Sequence, residues 1–350
     1  MLGSGLPRKR PSVRRVWFAL LGLVALGGIA ACATSPYSTM APASTLAERI
    51  DQIYRLLIWL GAIVFVGVEA ALIYALIRFR RRPGDGIPPQ VHGSLPLEIG
   101  WTVVPALILV VIAVPTIRTI FETQQAPPAV AGEVLNVQVI GHQWWWEIRY
   151  PALGIVTANE IHVPVGRTVN FQLETADVIH SFWVPRLAGK RDLIPNKVNH
   201  LYLTPTEPGV FFAECAEFCG LQHAKMRLRV VVEPPESFAA WVQAWQQPTP
   251  SGPALPSDLA RRGEQLFMTG ACAGCHTIAG TPAQATVGPN LTRFGSRLTV
   301  GAGVLENTPE HLARWVRNAQ EIKIGVAMPS FTNLSQDQID ALVAYLESLK

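Results

Sequence analysis

The chain has 350 residues, of which 49% are hydrophobic and only 15% are charged, a proportion that favours a protein partly embedded in a membrane over a purely soluble one. The net charge of +4 is small and comes from basic segments near the apolar stretches, so it gives no indication of nucleic-acid binding. The length allows two or three domains.

A targeting segment begins the chain. Basic residues between Arg8 and Arg15 precede the apolar stretch "VWFALLGLVALGGIAA", and Cys32 follows directly. A basic segment before a short apolar one is typical of a secretory signal. The sequence "IAAC" resembles a bacterial lipobox, which predicts a lipoprotein-type signal peptide over 1–31 and lipidation of Cys32. The alternative is an ordinary signal peptide cut near Ala31.

Two longer apolar stretches follow, Leu56–Ile77 and Ile99–Ile117, and each is long enough to cross a bilayer. The arginines of Arg78–Arg82 place the short connecting loop in the cytoplasm. We therefore predict a transmembrane helical hairpin over 50–122, with the rest of the chain on the outer face. Glu69 lies inside the first stretch, where a carboxylate must face protein or water, so the hairpin is predicted to pack against another membrane subunit. The alternative is that Glu69 only forms a local pair.

The segment from 133 to 233 has a different pattern, with short stretches rich in Val, Ile, Phe and Trp that Gly, Pro and Asn interrupt. Regular short strands of this kind predict a β-sandwich or barrel, which we take to be cupredoxin-like. The predicted strands are "VLNVQVIG", "WWWEIRY", "EIHVPVG", "TVNFQLET", "VFFAE" and "MRLRVVVE".

The remainder of the chain is predicted to be helical. Residues 234–256 contain a short helix and a Pro-rich linker, and 257–350 form an all-α domain. Its helices are predicted at "DLARRGEQLF", at "TPEHLARWVRNAQ" with Thr308 as N-cap, and at "SQDQIDALVAYLESL". Ser335 and Gln338 are spaced to form a capping box at the start of the last helix.

The stretch "AECAEFCGLQHAKM" (Ala213 to Met226) places two cysteines, a histidine and a methionine at short intervals between two predicted strands. In an exported domain a disulfide is one explanation and zinc is another. Thiolate, imidazole and thioether together suit copper better, and two thiolates in one loop can bridge a pair of ions. His180, predicted to lie in a loop after a strand, supplies a second imidazole. We therefore favour a copper site.

The stretch "CAGCH" (Cys272 to His276) is the C-x-x-C-H motif of covalent haem c attachment. The alternative, a thioredoxin-like C-x-x-C, does not account for the histidine or the helical surroundings. A sixth iron ligand should be a methionine or histidine far along the chain. Met328 meets that condition, Met268 is too close to the motif, and His311 lies inside an amphipathic helix.

With these motifs, the chain from about Ile50 to Glu233, including "GHQWWWEIRYP", resembles subunit II of the haem–copper cytochrome c oxidases. The resemblance implies a binuclear copper centre, CuA. Cys215 and Cys219 would bridge both ions, and His180 and His223 would each bind one ion. Met226 and the main-chain carbonyl of Glu217 would be weak ligands. The Glu217 side chain would reach Mg²⁺ at the interface with subunit I.

The same resemblance implies two further roles. Trp144 matches the tryptophan through which electrons enter near CuA, although alternating aromatic residues on a strand are more often core. Glu98 matches a carboxylate at the cytoplasmic mouth of a proton path, and its alternative is a solvated residue at a helix start, favoured by the helix dipole. The C-terminal region resembles small c-type cytochromes, which implies Met328 as the axial ligand and the Pro289 carbonyl in "GPNL" as acceptor from the haem histidine.

These predictions account for all five cysteines: one for lipid, two for copper and two for haem. The function implied is subunit II of a bacterial aerobic terminal oxidase. It would pass electrons from a donor cytochrome c through haem c and CuA to subunit I, where oxygen is reduced with proton pumping. The main alternative is the electron-accepting subunit of a CuA-containing nitric oxide reductase. Nitrous oxide reductase, a copper-free quinol oxidase subunit and a free lipoprotein carrier fit less well.

Overall fold

A computed structural model gives the fold of residues 35–84, 86–87, 89–90, 92–124 and 134–350. Two long helices come first: α1 spans Thr45–Arg78 and α2 spans Leu95–Gln124. By length and composition both are able to cross a membrane. The predicted signal peptide and its Cys32 lie outside the described residues.

The helical hairpin is fixed to the β-rich part of the chain at its first turn. Ser44 caps α1, because its side-chain oxygen accepts a hydrogen bond from the main-chain nitrogen of Ala47 over 3.1 Å. The main-chain nitrogen of the next residue, Thr45, donates to the carbonyl of Thr204 over 3.0 Å. The start of the first helix is therefore held against the outer domain.

Ten strands follow, arranged in two five-stranded sheets of order β3-β2-β1-β5-β8 and β4-β10-β9-β6-β7. Most neighbours are antiparallel, but β1 pairs with β5 and β4 with β10 in parallel. The strands are β1 (Leu135–His142), β2 (Trp145–Tyr150), β3 (Ile155–Ala158), β4 (Glu160–Pro164), β5 (Val169–Thr175), β6 (His180–Trp183), β7 (Arg191–Leu193), β8 (Asn199–Leu203), β9 (Gly209–Cys215) and β10 (Arg227–Glu233).

The core of this barrel lies between the two sheets. Alternate residues of each strand point inward, and the inward residues include Trp146, Ile148, Phe171 and Phe182, all of which are fully buried. Burying one such side chain stabilises the fold by about 1.5–3 kcal/mol. The resulting rigid scaffold carries the loops at its ends.

The sequence pattern did not predict strands β3, β6, β7 and β8. Each has only three to five residues. Polar residues such as Ser181 and Asn199 interrupt their apolar pattern. Pairing with neighbouring strands, which local sequence does not reveal, keeps these segments extended.

The C-terminal region is mainly helical, but it is not purely α-helical as predicted, because the short strands β11 (Thr299–Val300) and β12 (Leu305–Glu306) form an antiparallel pair. α3 (Pro235–Gln246) follows the barrel, and α4 (Asp258–Thr269), α5 (Pro309–Arg317), α6 (Ala319–Ile322) and α7 (Gln336–Ser348) surround a second core. The capping box at Ser335 is confirmed. The single helix predicted at "TPEHLARWVRNAQ" is wrong in one respect, because it ends at Arg317 and resumes as α6 after Asn318.

Arg293 joins α3 to the C-terminal region. Its guanidinium donates to the carbonyl of Ala244 near the end of α3 and, over 2.8 Å, to the carbonyl of Gln247 just after it. A further nitrogen of the same group donates to the carbonyl of Lys350, the last residue. One buried arginine thus connects its own loop with the end of α3 and with the last residue of the chain.

Candidate functional site

The first cluster lies where β9 ends. The Sγ atoms of Cys215 and Cys219 are 3.7 Å apart, and neither cysteine is in a disulfide. Nδ1 of His180 lies 3.9 Å from Sγ of Cys215. The three ligand atoms lie within 4.8 Å of one another and all three residues are buried. This arrangement is suited to holding a metal ion.

Three further predicted ligands lie beside the pair of sulfurs. Nδ1 of His223 is 3.7 Å and Sδ of Met226 is 3.8 Å from Sγ of Cys219. The main-chain carbonyl oxygen of Glu217 is 3.2 Å from Sγ of Cys215. The fold therefore brings all six predicted copper ligands to one place, although they come from two segments of the chain.

His180 differs from its prediction, because it is the first residue of strand β6 and not a loop residue. Pairing with Leu193 of β7 extends the strand to this point. Its Nε2 faces Oδ1 of Asp177 at 2.8 Å, which directs Nδ1 to the sulfurs. A Cβ atom at Gly141 would lie 2.7 Å from Cδ2 of the ring, so only glycine fits beneath it.

The two thiols share their protons unequally. Contact with Cys219 lowers the pKa of Cys215, and the same contact raises the pKa of Cys219. A second thiolate this close to the first requires positive charge between them. Soft sulfur and imidazole donors in a buried setting fit copper, whose binding would displace the remaining proton.

The Glu217 side chain points away from this cluster. Its Oε2 lies 3.5 Å from Nζ of Lys190, and both side chains are about half exposed. The carboxylate is therefore at the surface of the protein, beside the metal-type cluster and not inside it. Its predicted role as a Mg²⁺ ligand stays a prediction.

The second cluster lines a largely apolar cavity of about 1350 Å³, counting its open mouth. Cys272, Cys275, His276 and Met328 all face this cavity. Cys272 begins a single turn of 3₁₀-helix, Cys272–Gly274, shortly after α4, and Cys275 follows this turn directly. The four residues predicted to hold haem c therefore line the same cavity. Apolar residues from α4, α5 and α7 enclose this cavity.

His276 is oriented by the loop opposite it. Its Nδ1 lies 2.7 Å from the carbonyl of Pro289, so Nδ1 carries the proton and the lone pair of Nε2 is free for an iron atom. Burial lowers the pKa of this imidazole, which favours the neutral, ligating form. A Cβ atom at Gly288 would lie 2.7 Å from Cε1 of the ring, so the loop forms a close-fitting cradle. These features fit a haem c.

Met328 lies in a loop after α6. The side-chain nitrogen of Gln320 donates to its main-chain carbonyl over 2.9 Å. The two candidates that the sequence disfavoured are not among the described residues that line the cavity: Met268 is on α4 and His311 on α5, where its Nδ1 faces the Glu306 carbonyl at 3.0 Å. Met328 is therefore the better placed candidate.

Comparison with known proteins gives three family matches. Residues 37–119 match the transmembrane domain and residues 154–233 the periplasmic domain of cytochrome C oxidase subunit II, and residues 260–350 match cytochrome c. The chain is similar to the cytochrome c oxidase subunit 2 of Alkalihalophilus pseudofirmus, with 41% identity over 296 residues, 83% of this chain and 84% of that protein. The chain belongs to the cytochrome c oxidase subunit II family.

Two other subunit 2 relatives match almost end to end. That of Bacillus sp. (strain PS3) is 38% identical and covers 95% of this chain and 97% of its own length. That of Bacillus subtilis is 35% identical, with coverage of 95% and 96%. The predicted fold class is thereby confirmed: two apolar helices, a β-rich cupredoxin-like domain and a C-terminal cytochrome c domain, in a subunit of an oxidoreductase complex.

In this subunit II chain, Trp144 lies between the two clusters. Its indole Nε1 donates to the carbonyl of Cys219 over 2.9 Å, and its side chain also lines the cavity of the cytochrome c domain. Gln143 donates to the same carbonyl over 2.8 Å. Gly220 has φ +109°, and a Cβ atom there would lie 3.2 Å from Cζ2 of the indole, so this glycine allows the close approach.

Sequence reasoning missed several residues that shape the two clusters, among them Gln143, Asp177, Gly288 and Lys323. Asp177 stands three residues before His180, and Gly288 directly precedes Pro289, so local spacing offered a signal for these two. Lys323 contacts Trp144, which is distant in the sequence, and no local pattern reveals such a contact.

Glu98 lies in the first turn of α2, where its side chain is exposed. A Cβ atom at Gly93 would lie 2.8 Å from its Oε1, so the carboxylate folds back over the loop between the two long helices. This places Glu98 at the end of the hairpin that is predicted to face the cytoplasm. Its part in a proton path stays a prediction.

Proposed function

We propose that this chain is the electron-accepting subunit of an aerobic terminal oxidase in a bacterial cytoplasmic membrane. It takes electrons from a donor cytochrome c on the outer face and delivers them to subunit I. Oxygen is reduced in that partner, and the reduction drives proton pumping. The observation that carries the proposal is the position of Trp144. Its indole is hydrogen-bonded to the carbonyl of Cys219 and also lines the cavity that is suited to haem.

For this function the first cluster would hold the binuclear CuA centre. Cys215 and Cys219 would bridge the two ions, and their separation of 3.7 Å leaves them free of a disulfide. The remaining donors are His180, His223, Met226 and the carbonyl of Glu217. Because a rigid barrel positions these donors before any ion binds, their geometry needs little rearrangement when the charge of the site changes.

The second cluster would hold haem c. Cys272 and Cys275 would form the two thioether links, and His276 and Met328 would be the axial ligands. When bound, the copper pair and the haem supply one-electron redox chemistry. The chain keeps His276 neutral and oriented through the carbonyl of Pro289, and its apolar cavity excludes water, which favours a high reduction potential.

Other parts of the chain are assigned roles in the assembly. The helical hairpin would pack against subunit I and other membrane subunits, with Glu98 at the cytoplasmic mouth of a proton path. The surface carboxylate of Glu217 would bind Mg²⁺ at the subunit I interface. A lipid on Cys32 would add a second attachment to the membrane.

Reciprocal cysteine substitutions in the purified complex test the two assignments. Cys219→Ser should lower the copper content and abolish the mixed-valence electron paramagnetic resonance signal, while the haem c absorption remains. Cys275→Ser should weaken covalent haem attachment and leave the copper signal unchanged. If both variants kept two copper ions and one haem per chain, the assignments would be wrong.

The final electron acceptor is tested by gas uptake. The complex should consume oxygen when a reduced cytochrome c is supplied, and Cys219→Ser should stop that consumption. A complex that consumed nitric oxide and left oxygen untouched would instead support the reductase alternative.

A further inference from the structure

Lys323 occupies an unusual position between the two domains. It follows α6 in the cytochrome c domain and only 1% of its surface is exposed. Its ammonium donates to the main-chain carbonyl of Trp144 over 2.7 Å and to that of Gly301 over 3.1 Å. The first of these bonds crosses from one domain to the other, and Lys323 itself lines the cavity that is suited to haem.

A buried ammonium of this kind is costly. Burial lowers the pKa of Lys323 to about 7, with smaller contributions from other charges, of which Lys225 is the largest. Its two hydrogen-bond acceptors are neutral carbonyls, which offset only part of the desolvation. An apolar side chain of similar length would avoid the penalty, so general packing does not explain a lysine here.

The acceptor of the interdomain bond is the residue that joins the two clusters. The Trp144 indole is held at the ring by the carbonyl of Cys219, at 2.9 Å. Its main-chain carbonyl is held by Lys323. The loop from Cys215 to Met226, here called the copper loop, therefore holds the indole of Trp144, and the cytochrome c domain holds its main-chain carbonyl. Together the two hydrogen bonds fix the position of the ring and the docking of the domains.

We propose that Lys323 is a positioning residue for electron transfer between the two domains: by anchoring the Trp144 main chain, it keeps the indole against both the copper loop and the wall of the cytochrome c cavity. This inference rests on the proposed function, because it requires both redox centres. It adds to that function a residue that neither ligates a metal nor belongs to either binding motif.

Thr157 of β3 provides a matched control. Its hydroxyl oxygen accepts a hydrogen bond from Nη2 of Arg297 over 3.2 Å, and this bond also crosses from one domain to the other. The variant Thr157→Val keeps the shape of the side chain and removes this one interdomain hydrogen bond. It leaves the hydrogen bonds of Trp144 to Cys219 and Lys323 in place.

The experiment compares Lys323→Met and Thr157→Val in the full complex. Haem c is reduced by a light-activated reductant, and the subsequent reduction of copper is followed optically. Loss of one aligning hydrogen bond should slow this step roughly three- to tenfold in Lys323→Met. The rate should stay within about twofold of wild type in Thr157→Val, because the hydrogen bond that this variant loses does not involve Trp144. Copper and haem spectra should be unchanged in both variants.

A second readout does not depend on redox activity. Amide hydrogen exchange over residues 142–146 should be faster in Lys323→Met than in wild type and unchanged in Thr157→Val. If Lys323→Met does not assemble, Lys323→Gln, which keeps a shorter donor, replaces it. In Lys323→Ala, added ethylammonium should restore the transfer rate, whereas tetramethylammonium, which has the charge but no N–H donor, should not.

The outcomes separate the two levels of the proposal. Equal slowing in Lys323→Met and Thr157→Val, or an unchanged rate and unchanged exchange in Lys323→Met, overturns the positioning role while the proposed function stands. If wild-type haem c is reduced and no electron reaches copper, the proposed function fails, and the role of Lys323 fails with it.

Discussion

Asp177 and His180 form a hydrogen-bonded pair, with Oδ1 of the carboxylate 2.8 Å from Nε2 of the imidazole. This contact holds the opposite ring nitrogen, Nδ1, toward Sγ of Cys215 at 3.9 Å. Carboxylates that orient a ligating imidazole also raise its basicity. Asp177 thus belongs to the proposed copper site although it would supply no ligand.

Asp177→Asn should weaken copper binding by about 10–100-fold, the usual effect of losing such an orienting partner. The measurement is a titration of the copper-loaded protein with a competing chelator. Asp192→Asn is the control, because Asp192 lies on the neighbouring strand β7 and its carboxylate has no part in orienting His180. Equal losses in the two variants, or no loss in Asp177→Asn, would contradict the orienting role.

Gly288→Ala should displace the imidazole of His276, because the added Cβ would lie 2.7 Å from Cε1 of the ring. The expected result is loss of the low-spin, methionine-ligated haem c spectrum, with covalent attachment intact. Gly274→Ala is the matched control, since a Cβ there meets nothing within 4 Å. An unchanged spectrum in Gly288→Ala would show that the cradle does not position the ligand.

Trp144→Phe should slow electron transfer between the two domains by roughly tenfold, since it removes the hydrogen bond to the Cys219 carbonyl while keeping an aromatic ring. Rapid reduction of haem c followed by optical detection at copper measures it. Trp145→Phe is the comparison: Trp145 also lines the cavity, but it stacks on His142 with ring centroids 4.2 Å apart. The prediction fails if Trp145→Phe has the larger effect.

His162 predicts a pH-dependent contribution to stability. Burial lowers its pKa, but hydrogen bonds to Glu160 at 3.0 Å and Glu233 at 3.2 Å outweigh burial and raise it overall. A raised folded pKa means that the stabilisation is complete below the unfolded value, about 6.5, and is lost as the pH rises through the folded pKa. His162→Gln should therefore be most destabilising under acidic conditions.

Chemical unfolding of the full chain across neutral pH tests this prediction. The difference in the free energy of unfolding between wild type and His162→Gln should shrink from about 1–3 kcal/mol as the pH rises. His200→Gln is the control, because the imidazole of His200 faces the uncharged amide of Asn170 at 3.1 Å. A difference that grew with pH would contradict the assignment.

The sequence was most informative where a site is encoded locally. The predicted ligands within Cys215 to Met226 are close in the sequence and also close in the fold, and the same holds for those within Cys272 to His276. The long apolar helices and the capping box at Ser335 were predictable for the same reason, since both depend on neighbours within a few turns.

Contacts between distant segments were not predictable. His180 was expected in a loop, because strand β6 exists only through its pairing with β7 and β9. The short break between α5 and α6 at Asn318 also escaped prediction, because it depends on how this segment packs. In the sequence, Lys323 is only a single basic residue between two isoleucines. Its significance depends on the contact with Trp144, which belongs to another domain.

Arg293 fastens the end of α3 to the cytochrome c domain through the carbonyls of Ala244 and Gln247. A cytochrome c domain on a flexible linker would have to find its docking position at every turnover. Its effective concentration at that position would depend on the length of the linker. The cytochrome c domain of this chain is already held against the end of α3 by Arg293 and would need no such search. Under the proposed function, electron transfer between the two domains would therefore cross the same distance at every turnover.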